Sequence, residues 1–168
     1  MVVGHQLLNM IKKFIFTIIF CVLTQSSFAA GDSSSSSDSD NYLDQYKAAK
    51  QLVQRGKKLE SKGKNDKALK LYDKAYKKLL EANKADSRNP DILNYLGFTL
   101  RKTGKFEQAE KYYLQGLKIK PDHNGINEYL GELYIQTNRI DKAKERLAVL
   151  KNCKCEEYDE LKELIDKI

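Results

Sequence analysis

From Tyr42 to the C-terminus, apolar residues return every three or four positions, the spacing that gathers side chains on one face of an α-helix. Leu69, Tyr72, Tyr76, Leu79 and Leu80 make one such stripe and predict a long helix over residues 66–84. Charged residues occupy the faces between the stripes. Gly63, Gly104 and Asn138 fall between helical stretches, where a left-handed backbone is often needed to turn the chain. Only two prolines occur in 168 residues, and Leu, Lys, Glu and Ala dominate, so the expected fold class is all-α.

The helical pattern repeats. Tyr95-Leu96-Gly97 returns 34 residues later as Tyr129-Leu130-Gly131. The same offset pairs Thr103 with Thr137 and Ala109 with Ala143. It also pairs Gly104-Lys105-Phe106 with Asn138-Arg139-Ile140, a turn followed by a basic and an apolar residue. Leu93 and Asn127 do not match, yet a fixed period over several positions is the mark of a repeat architecture. One pair of helices cannot hide its own apolar stripe, so such units stack.

Residues 90–123, PDILNYLGFTLRKTGKFEQAEKYYLQGLKIKPDH, resemble a tetratricopeptide repeat. Leu93, Leu96 and Gly97 stand at its first-helix signature positions, with Leu100 in place of a tyrosine. Ala109, Tyr113, Gly116 and Pro121 stand at the small, aromatic, small and closing positions. A unit over 124–157 keeps Leu130, Gly131, Tyr134 and Ala143 but departs at Leu147, Leu150 and Cys155. An earlier unit starting at Ala49 keeps Gly56, Ala68, Tyr72 and Ala75. Its successor begins seven residues late, about two helical turns, which keeps the same face inward. The resemblance implies a right-handed α-solenoid of about three helical hairpins (49–89, 90–123, 124–157) within a domain spanning 42–168. Residues 156–168 are expected to cap it, with Leu161, Leu164, Ile165 and Ile168 as its inward face. The glycines (Gly56, Gly97, Gly131) and alanines (Ala68, Ala109, Ala143) are expected where paired helices cross closely.

What the resemblance implies about function is a binding scaffold whose first helices line a concave wall. On the repeat register the inward, non-core positions include Lys50, Lys57, Asn94, Tyr95, Phe98, Arg101, Glu128, Tyr129 and Glu132. The expected partner-binding groove is Lys57, Asn94, Phe98, Arg101, Glu128 and Glu132. Phe98 either anchors a ligand from that wall or packs against a neighbouring helix. Asn94 and Arg101 suit a peptide's carbonyls or carboxylates. Some family members hold a C-terminal carboxylate with a basic pair on the third unit's first helix. Gly125, Glu128 and Tyr129 stand there instead, so that function is not carried over.

The N-terminus lies outside the repeat pattern. Lys12 and Lys13 precede the apolar run FIFTIIFCVL, and Ser27-Phe28-Ala29 offers small residues at a cleavage position. Residues 1–29 are therefore expected to be a secretory signal peptide, with an uncleaved anchor as the alternative. The segment 30–41, with its run of Ser and Asp, is expected to be a disordered linker. The leader implies export; a bacterial periplasm is the expected compartment, and a eukaryotic secretory route would suit the same leader. The chain carries 30 Lys and Arg against 23 Asp and Glu, a net charge of +7, and losing the leader removes Lys12 and Lys13. That excess is modest and spread out, so a protein or peptide partner is expected and nucleic acid is not. No stable membrane insertion is expected after cleavage.

Cys153 and Cys155 form a C-x-C pair. In an oxidising compartment a disulfide, free thiols and a metal-binding role stand as alternatives, and a bond so short in sequence needs a turn. The small exported bacterial repeat proteins that this chain resembles carry two cysteines before a Glu-Glu-Tyr segment. Glu156, Glu157 and Tyr158 stand there, behind more closely spaced cysteines. Beyond His123, expected as a turn residue, the part after the leader has no histidine, and it shows no phosphate loop or nucleophile elbow. No catalytic residue, cofactor or metal is expected. A thiol-redox or metal-handling protein using the cysteine pair is the rival reading, and end-to-end self-assembly is another.

Overall fold

The computed structural model describes residues 34–168, with side chains from residue 41 on. The expected signal peptide and the first residues of the linker lie outside the described residues. Seven helices follow one another among the described residues, with no strand between them. They are α1 (Ser34–Glu60), α2 (Asn65–Ala85), α3 (Pro90–Lys102), α4 (Phe106–Ile119), α5 (Asn124–Gln136), α6 (Ile140–Leu150) and α7 (Glu156–Asp166). Pairs α1/α2, α3/α4 and α5/α6 are hairpins, stacked so that α3 packs on α2 and α5 on α4. The protein is an all-α solenoid of helical hairpins.

Each hairpin turns by the same chemistry. Gly63, Gly104 and Asn138 have φ of 69°, 79° and 58°. Lys64, Lys105 and Arg139 then donate their N–H to the carbonyls of Leu59, Leu100 and Tyr134, at 2.9, 2.9 and 2.7 Å. The residue before each donates to Glu60, Arg101 and Ile135, at 2.9, 3.0 and 3.0 Å. This is the Schellman closure, which satisfies the last carbonyls of a helix only when one residue turns left-handed. The helix after the first long connection is set differently. Asn89 Oδ1 accepts from the N–H of Asp91 (3.0 Å) and Ile92 (3.3 Å), and Pro90 supplies a first position that needs no donor.

The small residues admit large ones. A methyl placed on Gly97 would lie 2.6 and 2.7 Å from ring carbons of Tyr113, which is fully buried, and Gly56 stands in the same relation to Tyr72. Ala68, Ala75, Ala109 and Ala143 are buried at the helix contacts. The lengthened second helix is present, with α2 of 21 residues against 14 in α4.

Three expectations change. Helix α1 is already present at Ser34, the first described residue, within the segment 30–41 expected as a linker and well before Ala49. Tyr42 and Tyr46 continue its apolar stripe onto the core, so the helix has reason to extend ahead of the repeat register. In the cap, Leu161 is buried and Ile165 half-buried, but Leu164 and Ile168 are exposed. The eleven residues of α7 meet the array on one narrow face, and no eighth helix covers the rest among the described residues. The third hairpin also departs from the other two. The side chain that fills the space over Gly131 is Leu161 of α7, 2.5 Å from a methyl placed there, while Leu147 stays half-buried.

Candidate functional site

Helices α1, α3 and α5 lie side by side and form one wall. The side chains expected to project from it into solvent instead make a packed, polar layer. Phe98 is 2% exposed, so it is no open anchor. Its ring stands edge-on to Tyr72 (centroids 5.5 Å apart, planes at 84°) and against Tyr129 at 5.0 Å. Lys57, from α1, reaches across α3 to donate to the Tyr129 hydroxyl on α5 at 3.0 Å. On the way its ammonium passes 5.4 Å from the Phe98 ring and 5.3 Å from that of Tyr129. A cation over two aromatic faces shields them from water while keeping its own charge solvated.

Asn94, Arg101 and Glu128 are buried as well. The register that points them inward takes no account of the neighbouring first helices, which come close enough to cover them. Arg101 Nη1 lies 2.7 Å from Glu132 Oε2 and joins α3 to α5. Its guanidinium sits 5.6 Å from Phe98 and 5.5 Å from Tyr129. Burial works against its charge, but the surrounding tyrosines and Glu132 more than compensate and raise its pKa. Arg101 Nε and Asn94 Oδ1 have no hydrogen-bond partner among the described residues. Glu128 faces Glu132 and Glu160, the latter from α7. Burial first, then the bond to Glu160 and the charge of Glu132, push its carboxyl up to about 10. It is therefore a neutral acid at pH 7. Of the six expected groove residues, Lys57 is exposed and Glu132 half-exposed, and these two carry the accessible charge.

The accessible part of the wall includes residues outside those six. Lys50 lies 5.3 Å from the Tyr46 ring and 6.0 Å from that of Tyr95, and the two rings meet edge-on at 5.9 Å. All three side chains are half-buried. A row of Tyr46, Lys50, Tyr95, Lys57 and Tyr129 thus offers aromatic faces and ammonium groups, and Glu132 and Glu160 add carboxylates at the α5/α7 end. Tyr46 was legible only as a continuation of the stripe before Ala49. Glu160 had no signal in the repeat register, because α7 lies beyond it.

Three further residues lie in turns between helices. His123 Nδ1 accepts the N–H of Ile126 at 3.2 Å and so caps α5, leaving Nε2–H to donate to Asp91 at 3.0 Å. His123 thus stands at the turn before α5. Cys153 and Cys155 are joined by a disulfide, with Cα atoms 5.2 Å apart in the turn between α6 and α7. No group of three or more His, Cys, Asp or Glu placed to hold a metal is found among the described residues. No helix among them is long and apolar enough to cross a membrane.

Residues 90–123 match the family model of the tetratricopeptide repeat. The human protein O-mannosyl-transferase TMTC3 is 30% identical over 81 residues, covering 48% of this chain but only 9% of that protein. Among solved structures, the type III secretion translocator chaperone SycD of Yersinia enterocolitica superposes with a TM-score of 0.54 at 17% identity, over 71% of this chain and 89% of its own. The same chaperone in complex with a peptide of the translocator YopD gives 0.50 at 18% identity, over 70% and 86%. At such identities the likeness is one of fold. Residues 90–123 are thus a tetratricopeptide repeat, set between hairpins on either side that reuse its glycine and alanine positions.

Proposed function

We propose that this protein is a non-catalytic scaffold that holds a peptide segment of a partner protein along the wall of α1, α3 and α5. The observation that carries the reading is the row of half-exposed tyrosines with lysines laid over them, Lys50 on Tyr46 and Tyr95 and Lys57 on Tyr129. Such a surface suits an extended chain with acidic and apolar side chains. A partner carboxylate takes Lys50 or Lys57, and the apolar side chains lie on the uncovered rings. Glu132 and Glu160 at the far end give the groove a direction. SycD, a protein of like fold, has been solved with a peptide of YopD, which supports the reading. The leader pattern of residues 1–29 supports export, into a periplasm where the cell is bacterial.

The accessible lysines, not the buried Phe98 and Arg101, are the residues to change. Wild type and Lys50→Glu/Lys57→Glu are used to capture crosslinked partners from the native extract, and hydrogen exchange is followed on the captured complex. Loss of the main partner from the variant, with slowed exchange in α1, α3 and α5 of the wild type, is expected. Equal recovery by both proteins would place the binding surface elsewhere.

A further inference from the structure

The Cys153–Cys155 bridge lies apart from the groove, in the turn between α6 and α7. Cys153 donates its N–H to the Leu150 carbonyl at 3.0 Å, and Cys155 is the residue that immediately precedes α7. The single residue between them, Lys154, has a φ of 50°. That is the left-handed region, which a lysine seldom enters because its Cβ crowds the following carbonyl. The other non-glycine residue with positive φ among the described residues is Asn138, of a type that tolerates it. Both cysteines are half-exposed and Lys154 is fully so, which puts the bridge within reach of a thiol from solvent.

Closing the bridge carries a second cost. Cys155 stands at the N-cap of α7 yet makes no side-chain hydrogen bond to it, since its sulfur is held by Cys153. Opening the bridge would free Lys154 to leave the left-handed region. It would also leave the Cys155 sulfur beside the unpaired N–H groups of the first turn, which stabilise a thiolate. Glu156, Glu157 and Asp159 in that turn oppose the thiolate. Glu156 and Asp159 are exposed and screened, so the relaxation of Lys154 is the steadier drive.

We propose that Cys153–Cys155 is an exchangeable disulfide that oxidises a pair of thiols in a partner protein. The partner's first thiolate attacks Cys153 Sγ, forming a mixed disulfide and expelling Cys155 Sγ as a thiolate at the start of α7. The partner's second thiolate attacks its own sulfur in that mixed disulfide. This forms the partner's disulfide and expels Cys153 as a thiolate. Two electrons pass from the partner's dithiol to the bridge, and the two protons the partner loses go to the released cysteines or to solvent. A low-molecular-weight disulfide such as oxidised glutathione restores the bridge by the same exchange in reverse.

The test uses the full chain carrying Cys21→Ser, so that the pair supplies all its thiols. The protein is equilibrated with mixtures of reduced and oxidised glutathione, quenched with an alkylating reagent, and the Cys153–Cys155 peptide is weighed. Half reduction is expected at a glutathione ratio that leaves structural disulfides closed. Lys154→Gly, which adopts the left-handed conformation freely, should need a ratio about tenfold more reducing, the worth of one residue's left-handed conformation. Far-UV circular dichroism confirms that the variant keeps its helices. The oxidised protein should convert a synthetic two-cysteine peptide to its disulfide about tenfold faster than equimolar oxidised glutathione. A bridge that stays closed in excess reduced glutathione overturns the proposal, as does peptide oxidation at the glutathione rate. A Lys154→Gly variant that matches the wild type refutes the part played by Lys154.

Discussion

Replacing Gly97 by alanine pits two effects of known size against each other. In an exposed helix the change would stabilise by about 1 kcal/mol, because alanine loses less backbone entropy. Here the added methyl would sit 2.6 Å from Cδ1 and 2.7 Å from Cζ of Tyr113, and closer still to Cε1. Van der Waals contact between carbons begins near 3.5 Å, so the ring must move by almost an ångström. Tyr113 is fully buried against Arg101 and the second core cluster and has nowhere to go. Overpacking of that kind costs about 1–3 kcal/mol, and the wall carries the effect further because Arg101 and Phe98 lie on the same helix. Set against the helix gain, the upper part of that range leaves a net loss of about 1–2 kcal/mol, read from the urea midpoint at unchanged slope. Gly131→Ala is the internal control. Its methyl meets the methyl tips of Leu161, also fully buried but carried on the short terminal helix, which can shift more readily than a ring inside a hairpin, so its loss should be smaller than that of Gly97→Ala. Gly97→Ala as stable as wild type, or less harmful than Gly131→Ala, would refute the reasoning that the Tyr113 ring fixes the hairpin's spacing.

Other outcomes follow from the same contacts. Glu128 holds its proton up to about pH 10 in the fold but only to about 4.5 when unfolded. Below pH 4.5 both states are protonated and the group contributes fully to stability. Above it the unfolded chain ionises first, and that contribution is lost progressively until the folded group also ionises near 10. Glu128→Gln should therefore match the wild type at pH 4 and exceed it by roughly 1–3 kcal/mol at pH 7, measured by urea unfolding at both; a difference independent of pH would contradict the buried neutral acid. Leu161→Ala should cost about 2–4 kcal/mol by emptying the space over Gly131, while Leu164→Ala on the exposed face should cost little, as thermal melts of the two would show. Arg139→Lys should lose about 1 kcal/mol, because Arg139 holds both oxygens of Glu110 at 3.0 and 2.8 Å and a lysine cannot fork, a loss that should vanish in a Glu110→Gln background.

The hairpins were readable because their determinants are local. Gly63, Gly104 and Asn138 sit where a Schellman turn needs a left-handed residue, and Gly97 sits one helix away from the aromatic that needs its space. The wall was less readable, since burial there depends on the curvature of the stack. No periodicity in residues 90–102 says that Lys57 will cross α3 to reach Tyr129, separated from it by 72 positions, and so cover Phe98. Repeat position alone assigns a direction to a side chain, and the neighbouring repeats decide whether water reaches it.

The third hairpin fills the corresponding space by another route. In the first two units the glycine of the first helix is filled by Tyr72 or Tyr113 from the second helix. In the third, Leu147 occupies the aromatic position and is too short to span that distance, which the sequence displays as a departure from the pattern. The glycine was kept while its aromatic was lost, and an empty space over Gly131 would be costly in a close-packed core. Something from outside the unit had to enter, and α7 supplies Leu161. The cap is thus more than a cover on a finished array, because it completes the last hairpin. It also brings Glu160 to Glu128, so the chemistry at that end of the groove depends on a helix tethered through the Cys153–Cys155 turn.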